Sequence, residues 1–532
     1  MFRTVRHYNS DPLHSVFRIP SLLVCAIGPG GIMAVTTDDT KSSTQLQRRS
    51  LGVASIVFFV VAASAPLTVV AGGVPVSFAV TGLRGIPLVY VIIAAILLVF
   101  TVGYAAMSRH VTNAGAFYTY VSRGMGQAWG VAAALVALVA YNAMQIGIYG
   151  LYGFAAAGAL DQFFGLKVAW YVPVLVSGGI IAILGALQID LNARVLGFFL
   201  IAETAVVLIF DIAGILKPAQ GLTAAPFLPP ALSGGALGAG LCFVTASFVG
   251  FESAAIYGEE AKDPKRTVAR ATYTAVALIG VFYAFSAWAT SMAVGDSKII
   301  GVSQKLGPGL LFVYAEQNVG KWFSDVATVL FVTSLFAAIL SFHNAVARYF
   351  FSLGREGVLP RGLARVQRKT GAPVAGSMAQ SVVALVVILV FIIAGKDPVL
   401  ALFTWLTNVG ALGVIFLMAL TSVSIVSYLR QHNEMVTEST VVHEVAAGVS
   451  SVALFVVFYL AITNFDVLLG SKPNDPLNWI LPGLIVAAAA VGLVYGWYLK
   501  FKRPEIYAGI GLGGTLPEAH TEEDRTLTTL QS

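Results

Sequence analysis

Long apolar stretches separated by short polar ones run through most of this chain. A helix that crosses a bilayer needs about 20 mostly apolar residues. By that measure there are twelve spans, near 51–80, 85–108, 127–160, 168–187, 193–216, 235–260, 271–294, 321–350, 373–395, 398–428, 444–464 and 477–500. The first, third, sixth, eighth and tenth exceed the usual length, so tilted or broken helices are expected there. The prediction is an all-α, polytopic membrane protein with 12 transmembrane helices filling residues 51–500. Residues 1–50 and 501–532 are then its tails.

The first 32 residues follow a different pattern. Val16 to Val24 is apolar but carries Arg18 and Pro20, and Gly28-Pro29-Gly30-Gly31 follows. The run is too short to span and lacks a small-residue cleavage site, which argues against a signal peptide. Translation is expected to start at Met33, with residues 1–32 dispensable. Thr36 to Ser50 is polar, as is the tail from Arg503 onward, which is expected to be disordered.

Composition narrows the class. Of 532 residues, 57% are hydrophobic and 11% charged, against about a quarter charged in soluble chains. With a mean hydropathy of +0.83, an ordinary soluble enzyme, a disordered chain and a fibrous repeat are excluded. The net charge of +6 is explained by topology, without nucleic acid. With a cytoplasmic N-terminus, 24 of the 32 Lys and Arg residues fall in inside segments and 8 outside. That bias places both termini in the cytoplasm. Cys25 and Cys242 cannot form a disulfide framework or a zinc site by themselves. There is no His-rich cluster, Gly-x-Ser-x-Gly elbow or phosphate-binding Gly-Lys-Thr motif. A membrane-embedded enzyme and an ATP-driven pump on one chain are therefore disfavoured. A transporter and a channel remain.

Two spans carry break signals. In the first, Ala63-Ser64-Ala65-Pro66-Leu67-Thr68 leads into Ala71-Gly72-Gly73-Val74-Pro75. In the sixth, Ser247-Phe248-Val249-Gly250-Phe251-Glu252-Ser253 interrupts an apolar helix. Pro or Gly alone can merely kink a membrane helix. A pair of breaks five spans apart is what two inverted halves, helices 1–5 and 6–10, would produce, with substrate held where the breaks meet. Half-helix amino ends attract a carboxylate, and free carbonyls at the opposite ends attract an ammonium group.

Three motifs carry a family resemblance. Phe248-Val249-Gly250-Phe251-Glu252-Ser253, with Gly258-Glu259-Glu260-Ala261-Lys262-Asp263-Pro264-Lys265-Arg266, resembles the helix 6 signature of the amino acid–polyamine–organocation (APC) permeases. Asn344-Ala345-Val346-Ala347-Arg348 with Leu353-Gly354-Arg355-Glu356-Gly357-Val358-Leu359-Pro360 is similar to that family's end of helix 8 and its cytoplasmic loop. Ala114-Gly115-Ala116-Phe117-Tyr118-Thr119-Tyr120 resembles its loop after helix 2. The likeness covers about residues 50–500 and does not specify a substrate. It implies a five-plus-five inverted repeat with helices 11 and 12 outside it. It also implies a secondary transporter in the cytoplasmic (inner) membrane, taking an amino acid or related amine and needing no cofactor beyond a coupling ion. By the same resemblance, the backbones of Ala65, Thr68, Val69 and Val70 and of Phe248, Val249 and Gly250 hold the substrate. A small Gly-Ser-Gly-type triplet common in family helix 1 falls here on Thr68-Val69-Val70, a departure that narrows backbone approach.

Ionisable side chains inside the membrane cost about 2.5–3.5 kcal/mol on insertion scales and are functional candidates. Glu252 stands where, by resemblance, the family's arginine–agmatine antiporter has a glutamate implicated in proton coupling. It can take a proton, pair with a substrate ammonium or guanidinium, or cap the amides of its own broken helix. Glu203 in helix 5 stands where several family members carry a lysine that replaces a sodium ion. It is expected to couple transport to H⁺, or to bind Na⁺ with hydroxyls such as Ser334. Tyr141, Asn142 and Gln145 form a polar cluster in helix 3, and Tyr141 and Gln145 are taken as candidate substrate contacts. His343 and Asn344 are expected to be structural, Trp405 and Asn408 to gate or pack, and Asp190 and Asp211 to be interfacial. Val69, Phe248 and Phe251 suggest an apolar pocket for a neutral amino acid, whereas Glu252 admits a cationic amino acid or polyamine. Symport and exchange both remain open.

Overall fold

A computed structural model describes residues 52–111, 116–187, 193–256, 261, 263–367, 371–432, 438–472 and 474–512. The tails 1–51 and 513–532, Ala114-Gly115, Asp190, the Gly258-Glu259-Glu260 segment and Lys262 lie outside the described residues. Every expected span has its helix. Spans 2 (Ile86–Ser108), 3 (Gln127–Phe164), 5 (Ala193–Leu216), 7 (Pro264–Val294) and 8 (Lys321–Arg355) are long helices. So are spans 9 (Val374–Ile393), 11 (Glu438–Thr463) and 12 (Leu477–Lys502). Span 4 (Tyr171–Leu187) is shorter. Span 10 opens with a π-helical stretch, Pro398–Phe403, and continues as Thr404–Gln431. Its start is fixed by Asp397, whose carboxylate accepts from the amides of Val399 and Leu400 at 2.8 and 2.7 Å, before a proline that has no amide to satisfy.

Spans 1 and 6 are the interrupted ones. Span 1 consists of Val53–Ala63, a π-helical stretch Thr68–Gly73, and Val74–Thr81. Span 6 consists of Leu237–Ala246 and Ser253–Ile256, joined by turns. Of the two alternatives for the extra length of spans 3 and 8, tilt or a break, the helices show no break: they are continuous over 38 and 35 residues. At 1.5 Å per residue both exceed a hydrocarbon layer of roughly 30 Å.

The two halves repeat in detail. The third helix of each half follows a glycine in the positive-φ region, Gly126 at +94° and Gly320 at +138°. Short helices precede each: Ala116–Met125 before span 3, and Ile299–Leu306 with Leu310–Asn318 before span 8. Five crossings separate them, so they lie on opposite sides of the membrane. Span 2 packs on its counterpart span 7, and span 3 on span 8. Spans 11 and 12 add to this bundle from its flanks. Span 12 lies along span 3, where Gly492 and Gly496 leave room for Ala132 and Ala128. A Cβ at either glycine would sit 2.5 or 2.6 Å from the facing alanine Cα. Small residues four apart are the usual device for close helix approach in lipid.

Two of the sequence motifs meet in space. The Tyr118 hydroxyl, from the helix before span 3, donates to Glu356 Oε1 at 3.1 Å, just beyond the end of span 8.

Candidate functional site

The break in span 1 is made by two adjacent residues. Pro66 has no amide and disfavours helical backbone in the residue before it. Ala65 accordingly sits at φ +46°, the sole non-glycine residue at positive φ among the described residues. That conformation costs roughly 1–2 kcal/mol. The helix resumes when the Val69 amide donates to the Ala65 carbonyl at 3.1 Å. Gly72 and Gly73, expected to belong to the break, lie instead inside the π-helical stretch.

In span 6 the helix tightens into turns. The amides of Ser247, Phe248 and Val249 donate three residues back, and Phe251 does the same to Phe248. Gly250 takes φ +114°, a value an L side chain rarely adopts. Its amide is capped by Glu252 Oε2 at 2.9 Å. A Cβ at Gly250 would lie 3.5 Å from the Cβ of Ala63. The two breaks therefore abut.

Four tyrosines satisfy the groups these breaks leave over. Tyr283 of span 7 donates to the Ser64 carbonyl at 3.1 Å and reaches its hydroxyl at 3.0 Å. Tyr90 of span 2 shares a 3.0 Å hydrogen bond with Ser247. Tyr104, also in span 2, donates to the Glu252 carbonyl at 3.3 Å. Tyr141 of span 3 donates to Glu252 Oε1. Tyr90, Phe248 and Tyr283 pack as a triad with ring centroids 5.8–6.4 Å apart. Sequence reasoning named only Tyr141. For Tyr283 the available signal was a phenol at the middle of an apolar span, away from the interfacial belts where tyrosine is usual; Tyr90 and Tyr104, near the two ends of span 2, carried no such signal.

Glu203, 5% exposed, faces the same region from span 5. Ser334 Oγ donates to Glu203 Oε2 at 2.9 Å and lies 3.0 Å from Thr68 Oγ1. Serine has a single hydroxyl proton, so with Ser334 donating to the carboxylate, Thr68 donates to Ser334. The Leu67 amide is a further neighbour of this carboxylate. One hydrogen-bonded chain thus joins spans 1, 5 and 8 at the break. Among the described residues neither Glu203 nor Glu252 forms an ion pair.

The profile of the family described as amino acid permease matches residues 51–490. The chain belongs to that family. The permease is a multi-pass membrane transporter whose small-molecule substrate is an amino acid or amine, and it is not an enzyme. It is 28% identical over 330 residues to the branched-chain amino acid permease BcaP of Lactococcus lactis subsp. cremoris (strain MG1363), covering 57% of this chain and 68% of that one. Human cationic amino acid transporter 4 is 26% identical over 302 residues, covering 52% and 45%. The low-affinity putrescine importer PlaP of Escherichia coli (strain K12) is 27% identical over 121 residues, covering 23% and 25%.

Ala65, Thr68, Val69, Val70, Phe248, Val249, Gly250, Glu252, Tyr141, Glu203 and Ser334 are all placed at or beside the two breaks of the permease. Gln145 is not. Its amide donates to His343 Nδ1 at 3.4 Å and its carbonyl accepts from Gln380. His343 in turn bonds Ser377 at 2.8 Å. This polar cluster joins spans 3, 8 and 9, and Gln145 and His343 are engaged in it. Asn142 donates to the Leu138 carbonyl of its own helix at 2.7 Å. Trp405 packs on Phe391 and Lys396 and donates to the Leu469 carbonyl at 3.3 Å. Asp211, expected at an interface with water, is fully buried against span 7. Helical phase turns it inward, which its position near the end of span 5 conceals.

Proposed function

We propose that this permease imports a neutral, aliphatic amino acid across the cytoplasmic membrane by alternating access, driven by protons through Glu203, with both termini cytoplasmic. The chain Glu203–Ser334–Thr68 carries this reading. A carboxyl group that binds the span 1 break through one serine can change that bond when it gains or loses a proton. The break is also where the substrate would sit. The excess of Lys and Arg in inside segments supports the orientation.

The substrate class rests on Glu252. Its two oxygens are occupied, by Tyr141 and by the Gly250 amide. A second ammonium or a guanidinium would have to share this carboxylate with the two groups that hold it against the break. Val69, Val249, Phe248 and Phe251 supply apolar surface beside the breaks. The similarity to BcaP points the same way, whereas the similarity to PlaP would favour putrescine and that to cationic amino acid transporter 4 a cationic amino acid.

Sodium coupling is the second reading, because Glu203, Ser334 and Thr68 bring three oxygen-bearing side chains together. Those oxygens already bond one another, so a cation would compete with these hydrogen bonds. Uptake into proteoliposomes decides between the two. Leucine, isoleucine and valine should accumulate under an inward pH gradient without Na⁺. Na⁺-dependent uptake that ignores pH would overturn proton coupling, and preferential uptake of lysine or putrescine would overturn the substrate class.

A further inference from the structure

Span 5 carries a second buried acid. Asp211 follows Glu203 by eight residues, about 12 Å further along the helix axis. It has no exposed surface. Ser286 of span 7 donates to Asp211 Oδ2 at 2.6 Å. The other oxygen, Oδ1, is buried and has no partner among the described residues. A buried carboxyl oxygen left unpaired costs free energy that a purely structural residue has no reason to incur.

The surroundings supply no counter-charge. Span 1 contains no titratable side chain. Span 7 offers Tyr283, one turn from Ser286, with its hydroxyl engaged by Ser64. Its other titratable residues, Lys265, Arg266, Arg270 and Tyr273, cluster near the opposite end. The helix Leu310–Asn318 carries Tyr314 and an exposed Glu316. Span 8 begins with Lys321, which pairs with Asp325 at 3.4 Å, while His343, Arg348, Tyr349 and Arg355 lie in its far half. Lys217, just past span 5, donates to the Asn318 carbonyl at 2.9 Å. Among the described residues none of these forms an ion pair or a hydrogen bond with Asp211.

Span 7 faces both neighbours with one stripe. Tyr283 holds the span 1 break, and Ser286 holds Asp211. Tyr283 also lies within electrostatic reach of Glu203.

We propose that Asp211 is a second protonation site of the transport cycle, which exchanges H⁺ with water on the side of span 5 away from Arg194 and relays it toward Glu203. The step is a proton transfer only. Water on that side gives H⁺ to the Asp211 carboxylate, and the acid later returns it through water and Tyr283 to the Glu203 carboxylate. The inference rests on the proton-driven reading above.

Two measurements separate the inference from that reading. Infrared difference spectra of the purified full chain, taken across an acid step, report a carboxylic C=O band for each acid that gains a proton. Wild type should give a band that Asp211→Asn removes and Glu203→Gln leaves in place. Uptake under a pH gradient is compared with substrate counterflow in the same proteoliposomes. Asp211→Asn should keep counterflow and lose about tenfold or more of the gradient-driven uptake, as for removal of a proton-transfer group. Asp211→Glu should recover part of it. If Asp211→Asn fails to fold, Ser286→Ala should shift the pH at which the Asp211 band appears. A band that survives Asp211→Asn, or one that Ser286→Ala does not move, overturns the assignment even where wild-type uptake is proton-driven. Wild-type uptake that ignores the gradient overturns the proton-driven reading, and the infrared result still decides whether Asp211 takes up a proton.

Discussion

Ser334 donates to Glu203 at 2.9 Å while it stands 3.0 Å from Thr68. A carboxylate from the fifth span is thereby tied to the break of the first through a hydroxyl of the eighth. Ser334 and Glu203 are 131 residues apart in sequence.

Glu203→Gln should abolish stimulation of uptake by external acid and retain exchange of internal for external substrate. Glutamine keeps the shape and accepts a hydrogen bond from Ser334 but cannot ionise. The sign is that wild-type uptake rises as outside pH falls, and the variant is flat. Uptake at a series of outside pH values, run beside counterflow, checks this. A variant with wild-type pH dependence would remove Glu203 from coupling.

Ser334→Ala should destabilise the protein by about 1–3 kcal/mol, because the buried Glu203 carboxylate loses its side-chain donor and keeps only the Leu67 amide. The hydroxyl of Thr68 loses its acceptor at the same time. Thermal unfolding in detergent reads the effect. An unchanged transition would mean that another donor replaces Ser334.

Gly250→Leu should insert normally but fail to bind substrate. The backbone at φ +114° strains any L side chain by about 1–3 kcal/mol. A larger group would also fill the space beside Ala63, where the breaks abut. Ligand-induced thermal stabilisation, which follows mass action, should disappear. Normal stabilisation by leucine would place the substrate elsewhere.

Glu252→Gln should be tolerated far better than Glu252→Ala. Glutamine can still accept from the Gly250 amide and bond Tyr141, whereas alanine leaves that amide unpaired at a cost of about 1–3 kcal/mol. Both variants are scored for stability and counterflow. Equal losses in the two would show that the charge of Glu252, and not its capping, is what the permease needs.

The sequence by itself determined the crossings, the class and the places where the backbone stops being helical. Apolar runs of membrane length and the lack of charge leave lipid as the only solvent, and Pro66 and Gly250 act locally through backbone sterics. Those two breaks were therefore readable at Pro66 and Gly250, although Gly72 and Gly73 lie in the π-helical stretch and not in the break. So was the candidacy of Glu203 and Glu252, because a carboxyl group in an apolar run is costly wherever it points. Tertiary structure alone decided what each acid does. Glu252 caps its own break, Glu203 reaches Thr68 through Ser334, and Gln145 turns to His343 and Gln380 although it lies one turn from Tyr141. The partners that Tyr90, Tyr104 and Tyr283 find at the breaks, and the burial of Asp211 against Ser286, were likewise decided only in three dimensions. The reason is physical. Hydropathy and backbone preference are properties of a residue and its nearest neighbours, whereas a hydrogen bond between spans depends on helical phase and on which helix packs alongside.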